Sequence, residues 1–127
     1  MKILPGIKGE ISKVVDTEST AASFGSGLVD VFATPAMIAL MENTALQSVT
    51  EYLSPNQNTV GIEICVKHTK ATPVGMKVTC ESVLTKVDGN KLYFDVTAKD
   101  EQGQIGRGTH TRFIIDTKEF MSKVLGG

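Results

Sequence analysis

The stretch that decides the fold is Thr34-Pro35-Ala36-Met37-Ile38-Ala39-Leu40-Met41-Glu42-Asn43-Thr44-Ala45-Leu46, the only strongly apolar helix pattern in the chain. Its first residue can cap a helix, because a threonine oxygen accepts from a first-turn amide, and proline at the first helical position loses no needed donor. The segment from Ala36 to Met41 is apolar on every side, unlike the single stripe of a surface helix. The pattern predicts an enclosed helix from Pro35 to about Leu53.

Strand patterns lie on both sides of this helix, one before it and four after it. The predicted strands span residues 7–15, 59–69, 75–87, 91–100 and 104–116. Short polar connectors with glycine, at 88–90 and 101–103, predict hairpins between neighbouring strands. Residues 19–30 have no sustained period and are predicted to form a loop, while Asp116 to Glu119 has the spacing of a capping box before a short helix.

This order of elements predicts an α+β protein, a hot-dog fold in which an antiparallel sheet wraps around one long central helix. The chain of 127 residues suits one domain, residues 1–127. A single sheet layer leaves its edge strands in need of cover. We therefore expect a homodimer with the sheets joined edge to edge.

Composition and charge exclude several classes of protein. A formal net charge of -1, with no block of lysine or arginine, argues against binding nucleic acid or anionic membranes. Cys65 and Cys80 form no CxxC pair, so their spacing suggests neither a metal site nor a disulfide framework. The amino terminus lacks the apolar stretch of a signal peptide, and no run is long enough to span a bilayer. We expect a cytoplasmic protein.

Three residues able to exchange protons fall where an apolar lining is expected. Thr34 begins the helix, and Glu42 is the one acid in its middle. In the strand before residue 69, Ile62, Ile64 and Val66 form the apolar face, and period two turns His68 inward with them. A carboxylate on such a surface is costly unless it is paired, hydrogen-bonded or used. The alternative for Thr34 is a plain helix cap, and for Glu42 a structural carboxylate. For His68 it is a core histidine satisfied by a backbone carbonyl.

Three further residues, Gly61, His110 and Arg112, are candidates for binding substrate. Gly61 precedes the His68 strand face, and its amide could approach a ligand where no side chain stands in the way. On the last strand Arg107, His110 and Arg112 form a cationic cluster, which is usually a solvated face. Alternation places His110 and Arg112 on the same side, where they could hold an anionic ligand.

Several blocks of the sequence resemble hot-dog thioesterases of the fluoroacetyl-CoA thioesterase type. The resemblance covers nearly the whole chain and is most specific in the spacing of Thr34, Glu42 and His68 and in the stretch Ala71-Thr72-Pro73-Val74-Gly75. It implies that these three residues form the catalytic group. It also implies that Gly61 contacts the acyl group and that Arg112 lies near the coenzyme A moiety.

The resemblance implies an acyl-CoA thioesterase that hydrolyses a short or small acyl-CoA to the free acid and CoA, with no metal and no cofactor. One departure concerns a pair of phenylalanines that gate the family's acyl pocket. This chain has Gly25 and Leu28 at the aligned positions, so Leu28 is the predicted pocket residue and fluoroacetyl discrimination is not expected. The alternative is a non-catalytic acyl-CoA or small-ligand binding protein on the same fold. A hot-dog hydratase is disfavoured because the expected aspartate and histidine spacing is missing.

Overall fold

An antiparallel sheet of five strands wraps around one long helix in the computed structural model, which describes residues 2–127. Met1, which belongs to the predicted domain, lies outside the described residues. The strands are β1 (Lys8–Val14), β2 (Gln57–His68), β3 (Lys77–Asp88), β4 (Lys91–Asp100) and β5 (Gly103–Asp116), and the helices are α1 (Ala21–Phe24), α2 (Thr34–Thr50) and α3 (Thr117–Val124). The predicted fold class is confirmed.

The strands lie in the order β1-β3-β4-β5-β2, with every neighbouring pair antiparallel. The two predicted hairpins are confirmed, since β3 pairs with β4 and β4 pairs with β5. On β4, the side chains of Leu92, Phe94, Val96 and Ala98 are all buried against the core, as their alternation predicts. The strands β1 and β2 are the edges of the sheet, and β2 is bonded to β5 on one side only.

Helix α2 packs on the inner face of the sheet and contacts β1, β2, β3 and β4. Its buried side chains include Met37, Met41, Ala45 and Val49, which recur at helical spacing and form the centre of the core. The predicted enclosure on every side is wrong, because Ala39 is exposed. One stripe of the helix therefore stays uncovered in the chain.

Gly9 allows β1 to approach this helix closely. A Cβ atom at that position would lie 2.7 Å from Cβ of Ser48 and 2.8 Å from the carbonyl oxygen of Thr44. The glycine that weakens the strand pattern in the sequence is thus the residue that allows sheet and helix to come together.

A β-bulge interrupts the pairing of β2 with β5 between Gly61 and Glu63. The extra residue shifts the alternation by one position. As a result Ile62, predicted to lie on the apolar face with Ile64 and Val66, is 52% exposed. That prediction was wrong, and Gly61 takes the inward position instead.

The predicted loop over residues 19–30 contains local structure at its start. A short 3-10 turn, Thr17–Ser19, is capped by Asp16, and α1 begins with the hydroxyl of Thr20 accepting from the amide of Ser23. The left-handed conformation of Gly25 ends α1, with φ of 70°. At the other end of the chain, Asp116 caps α3 as predicted. Across residues 2–127, none of the helices has the length and apolar character needed to cross a membrane.

Candidate active site

Thr34 and His68 form a hydrogen-bonded pair at the start of α2. The Thr34 hydroxyl lies 2.8 Å from Nδ1 of His68, although the two residues are 34 positions apart in the chain. The prediction that Thr34 caps the helix was wrong. It is the first helical residue, the cap position belongs to Ala33, and that cap has no side-chain hydrogen bond.

The start of α2 also presents unpaired backbone donors. The first helical hydrogen bond runs from the amide of Met37 to the carbonyl of Ala33, at 3.0 Å. The amides of Thr34 and Ala36 therefore lack partners within the helix, and Pro35 has no amide hydrogen. These donors point out of the helix beside the Thr34–His68 pair, where negative charge is favoured.

The imidazole of His68 is partly buried and has one ring nitrogen free of partners. Its Nε2 atom is shielded from solvent and makes no hydrogen bond within residues 2–127. Phe32 packs edge-on against the ring, with centroids 6.4 Å apart. Burial lowers the pKa of His68, and the backbone of Lys70 offsets part of that shift. The ring is therefore neutral at neutral pH and able to accept a proton.

A cavity of about 270 Å³ lies directly beside this pair. Thr34 and His68 line it together with Phe32, with Ala21 at the start of α1, and with residues of the two adjoining loops: Ser26, Val31, Thr69, Lys70 and Ala71. The volume is close to the lower end for small-molecule sites. Leu28, the predicted pocket residue, is 100% exposed and is not part of this lining. It lies in the segment between α1 and Val31.

Glu42 belongs to a second group, around Gly61. A Cβ atom placed on Gly61 would lie 2.9 Å from Oε2 of Glu42, 3.1 Å from Cε1 of His110 and 3.4 Å from Nη1 of Arg112. Glycine is therefore what leaves room at the point where the three side chains converge. The structure brings together four of the predicted site residues here.

Arg112 is held in a fixed orientation at this second group. Its Nε donates to the hydroxyl of Thr59 at 2.7 Å, and its Nη2 donates to the Thr59 carbonyl at 2.8 Å. The side chain is buried, and burial lowers its pKa while the Glu42 charge raises it. Within residues 2–127 no carboxylate lies within salt-bridge distance of this guanidinium. A buried cation of this kind is suited to meet an anionic or polarised group of a ligand.

His110 orients Arg112 and does not act as a second cation. Its Nδ1 lies 2.7 Å from the Glu63 carbonyl, so Nδ1 carries the proton, and Nε2 accepts from Nη1 of Arg112 at 3.1 Å. Burial is the largest influence on the pKa of His110 and lowers it. In decreasing order, the Glu63 carbonyl raises it, the Arg112 charge lowers it and the Glu42 charge raises it, and the net shift is downward. Reading the cluster as a solvated face was wrong, because His110 is 1% and Arg112 5% exposed; Arg107 alone faces solvent.

The two groups lie apart within the chain. Thr34 and Glu42 are separated by about 12 Å along the helix axis, and Gly61 and His68 by roughly 20 Å along β2. Glu42 is not part of the lining of the cavity beside His68. The expectation that the acid and the imidazole meet around one cavity is therefore not fulfilled inside a single chain.

Sequence reasoning missed two contributors to these groups. Thr59 lies two residues before Gly61 on the inward face of β2, so its alternation could have placed it beside Arg112. Asp100, at the end of β4, contacts the loop that follows His68 through Lys70 and Thr72. No local signal separates that aspartate from an ordinary turn residue. Over residues 2–127, no cluster of three or more His, Cys, Asp or Glu side chains could hold a metal ion.

A long helix packed on the inner face of a single antiparallel sheet, with the strands in this order, is the hot-dog fold, and solved structures agree. A hot-dog-like protein from Thermanaerovibrio acidaminovorans superposes with a TM-score of 0.88 at 21% identity, over 96% of this chain and 90% of that chain. A thioesterase superfamily member from Thermus thermophilus superposes with a TM-score of 0.89 at 26% identity, over 97% of this chain and 91% of that chain.

The chain belongs to the fluoroacetyl-CoA-specific thioesterase family, whose sequence model matches residues 15–118. A fluoroacetyl-CoA thioesterase from Streptantibioticus cattleyicolor is 42% identical over 95 residues, which are 75% of this chain and 68% of that protein. The solved structure of the fluoroacetyl-CoA thioesterase FlK superposes with a TM-score of 0.94 at 33% identity, over 99% of this chain and 98% of that chain. The predicted family and the thioesterase class are confirmed.

Proposed function

We propose that this protein hydrolyses short acyl-CoA thioesters to the free acid and CoA, with Thr34, Glu42 and His68 as the catalytic group. The observation that carries the proposal is the 2.8 Å hydrogen bond between Thr34 and a neutral, partly buried His68 beside a small cavity. Family membership supports the same chemistry, and a variant of the FlK enzyme has been solved with fluoroacetate and CoA bound.

Thioester hydrolysis needs an attacking oxygen and stabilisation of the tetrahedral oxyanion, whereas the thiolate leaves easily. Glu42 provides the attack, either as a nucleophile through a transient anhydride or as the base that activates water. His68 moves the proton or polarises the carbonyl, and Thr34 orients its ring. The free amides at the start of α2, or the amide of Gly61, donate hydrogen bonds that stabilise the developing oxyanion.

Two copies of the chain complete the site in this proposal. The edge strand β2 can pair with its counterpart in an antiparallel arrangement about a twofold axis at Cys65. If the bulge between Gly61 and Glu63 counts as one step, His68 then lies opposite the partner's Gly61. The Thr34–His68 pair of one protomer would face the Glu42 and Arg112 groups of the other. A homodimer thus explains why the two groups lie apart in one chain.

The activity is tested by a thiol-release assay over a panel of acyl-CoAs, from acetyl, fluoroacetyl and other haloacetyl to long-chain and aromatic. We expect turnover of short acyl groups, because the cavity beside His68 is small, and no strong preference for fluoroacetyl-CoA, because Gly25 and Leu28 are not phenylalanines. Tight binding of acyl-CoA without thiol release would instead identify a non-catalytic binding protein.

The shared site is tested by a heterodimer, purified through two different affinity tags, that joins one Glu42→Ala chain to one His68→Ala chain. In a site shared between protomers, one of the two sites keeps both side chains and the other loses both, so about half of the wild-type activity remains. Both variant homodimers are the controls and should be folded and inactive. An inactive heterodimer would exclude a shared site, and full turnover by the Glu42→Ala homodimer would exclude Glu42 from catalysis.

A further inference from the structure

Asp100 is a buried carboxylate that the proposed reaction does not use. It is the last residue of β4, and its side chain has no exposed surface. A charged group in such a position is costly unless all its oxygen atoms are bonded. The groups that bond the carboxylate therefore show which segments of the chain its charge holds in place.

Three groups bond the Asp100 carboxylate, and all three come from loops. Lys70 Nζ lies 3.1 Å from each oxygen, the Thr72 hydroxyl donates at 2.9 Å, and the Gln102 amide donates at 2.8 Å. Burial alone raises the pKa of Asp100, but the Gln102 amide, Lys70 and Thr72 together lower it below its ordinary value. The carboxylate is thus ionised and fully bonded.

Two of these partners fix the segment that directly follows His68. Lys70 is two residues beyond His68, and Thr72 is four residues beyond it. Lys70 also donates to the Gln102 side chain at 3.2 Å, which ties it to the turn after β4. The position of His68 at the end of β2 is therefore coupled to the Asp100 charge through the short loop that follows it, which Lys70 and Thr72 attach to the carboxylate.

The same segment also fixes the approach to Thr34. The Thr72 carbonyl accepts from the amide of Phe32 at 2.8 Å, and Val31 forms an isolated bridge with Pro73. Phe32 is two residues before Thr34 and packs against the His68 ring. One carboxylate thus organises the loop that carries each member of the Thr34–His68 pair.

We propose that Asp100 is a positioning residue for thioester hydrolysis, which holds Thr34 and His68 at hydrogen-bond distance through Lys70 and Thr72. The inference rests on the proposed function. A displacement of a reacting group by about 1 Å can lower a rate by about 100-fold, so a loosened loop should affect the chemical step more than substrate binding.

The test is Asp100→Asn, which keeps the size and an acceptor oxygen but removes the charge that holds Lys70. We expect kcat to fall by about 10- to 100-fold while KM changes by less than about threefold. The 15N signal of His68 Nδ1 in the folded protein should move toward its position in Thr34→Val, in which the hydrogen bond is absent. A purely structural role would lower the unfolding temperature without moving that signal.

Glu101→Gln is the matched control. Glu101 is the neighbouring carboxylate in the same turn, but its side chain accepts from the amide of Lys77 at the start of β3 and makes no hydrogen bond to the loop after His68 or to the loop before Thr34. It should leave kcat and the His68 signal unchanged. If Asp100→Asn does not fold, Thr72→Val removes only one of the carboxylate's bonds and should show the same two effects.

Either an unchanged kcat or an unchanged His68 signal in the folded variants would overturn the positioning role. A wild-type protein that hydrolyses no acyl-CoA would overturn the proposed function instead. In that event the His68 signal alone still decides whether Asp100 holds the pair together.

Discussion

Glycine at position 61 leaves space that the carboxylate of Glu42 and the cationic end of Arg112 approach from two elements. The residue has an ordinary negative φ, since the glycines with positive φ lie elsewhere. Glycine is therefore required at this position because a side chain would not fit without displacing its neighbours, and not because of the backbone conformation. This distinction separates a functional glycine from one that a turn requires, such as Gly75 with φ of 95°.

Gly61→Ala should reduce activity with little loss of stability. The added Cβ would lie closest to Oε2 of Glu42, at the far end of a flexible side chain that can move away at small cost. It would also lie 3.1 Å from Cε1 of His110, so the ring has to shift by a few tenths of an ångström. We expect kcat to fall by about tenfold or more, because the carboxylate is displaced from its working position, with a change of less than about 1 kcal/mol in the free energy of unfolding. Urea titration and the thiol-release assay measure the two effects.

Glu63→Ala is the control for that substitution, since its side chain is exposed and only its carbonyl bonds His110. Full activity of Gly61→Ala would show that the space at this position is not used by the reaction.

At the scale of elements, the strands and the central helix could be predicted because alternation and helical period are local properties. β4 was predicted with its observed bounds, and its inward face is the one that alternation gave. The bulge in β2 could not be predicted, because it leaves no mark in the composition of the strand. It nevertheless turns the side chain of Ile62 outward. The hydroxyl of Thr34 was assigned to its own helix, since a contact 34 residues away leaves no local trace in the sequence.

The burial of His110 and Arg112 was missed for a related reason. Alternation correctly places both side chains on the same face of the sheet, but their charge favours the face that is exposed to solvent. Their hydrogen-bond partners decide which face they occupy. Thr59 accepts from Arg112, the Glu63 carbonyl accepts from His110, and these bonds compensate the cost of removing the side chains from water. Those partners come from β2, whose register with β5 is known only from the folded chain.

Gly9→Ala tests the packing of β1 against α2. The new Cβ would meet the Thr44 carbonyl at 2.8 Å, and a backbone atom inside a helix cannot move aside as a side-chain end can. We expect the free energy of unfolding to fall by about 1–3 kcal/mol, as for other overpacked cores. Urea unfolding measures the loss, and Lys8→Ala, at an exposed position of the same strand, is the control. An unchanged stability would mean that sheet and helix separate easily here.

At the scale of the whole molecule, stability should depend on two histidines. Burial lowers the pKa of both His68 and His110 below the unfolded value of 6.5. As the pH falls below about 6.5, the unfolded chain binds protons that the folded chain resists, so the folded state loses stability. Stability should therefore rise with pH through the window just below 6.5 and level off above it.

Urea unfolding at about pH 5 and about pH 7 measures this dependence. A protein with both His68→Asn and His110→Asn should show a flatter profile over the same window. Greater stability of the wild-type protein at the lower pH would contradict the assignment of neutral, buried imidazoles.

The free thiol of Cys65 lies in the middle of an exposed edge strand. If two β2 strands pair about an axis at this residue, the two sulfur atoms become neighbours, with Cβ atoms about 4.5–5.5 Å apart, close to the range that a disulfide spans. Mild oxidation should then lock two chains covalently, visible as a band of twice the mass on a non-reducing gel and absent in Cys65→Ser. The oxidation of this thiol therefore reports the register of the two β2 strands, since pairing shifted by a few residues would hold the sulfur atoms too far apart to form a disulfide.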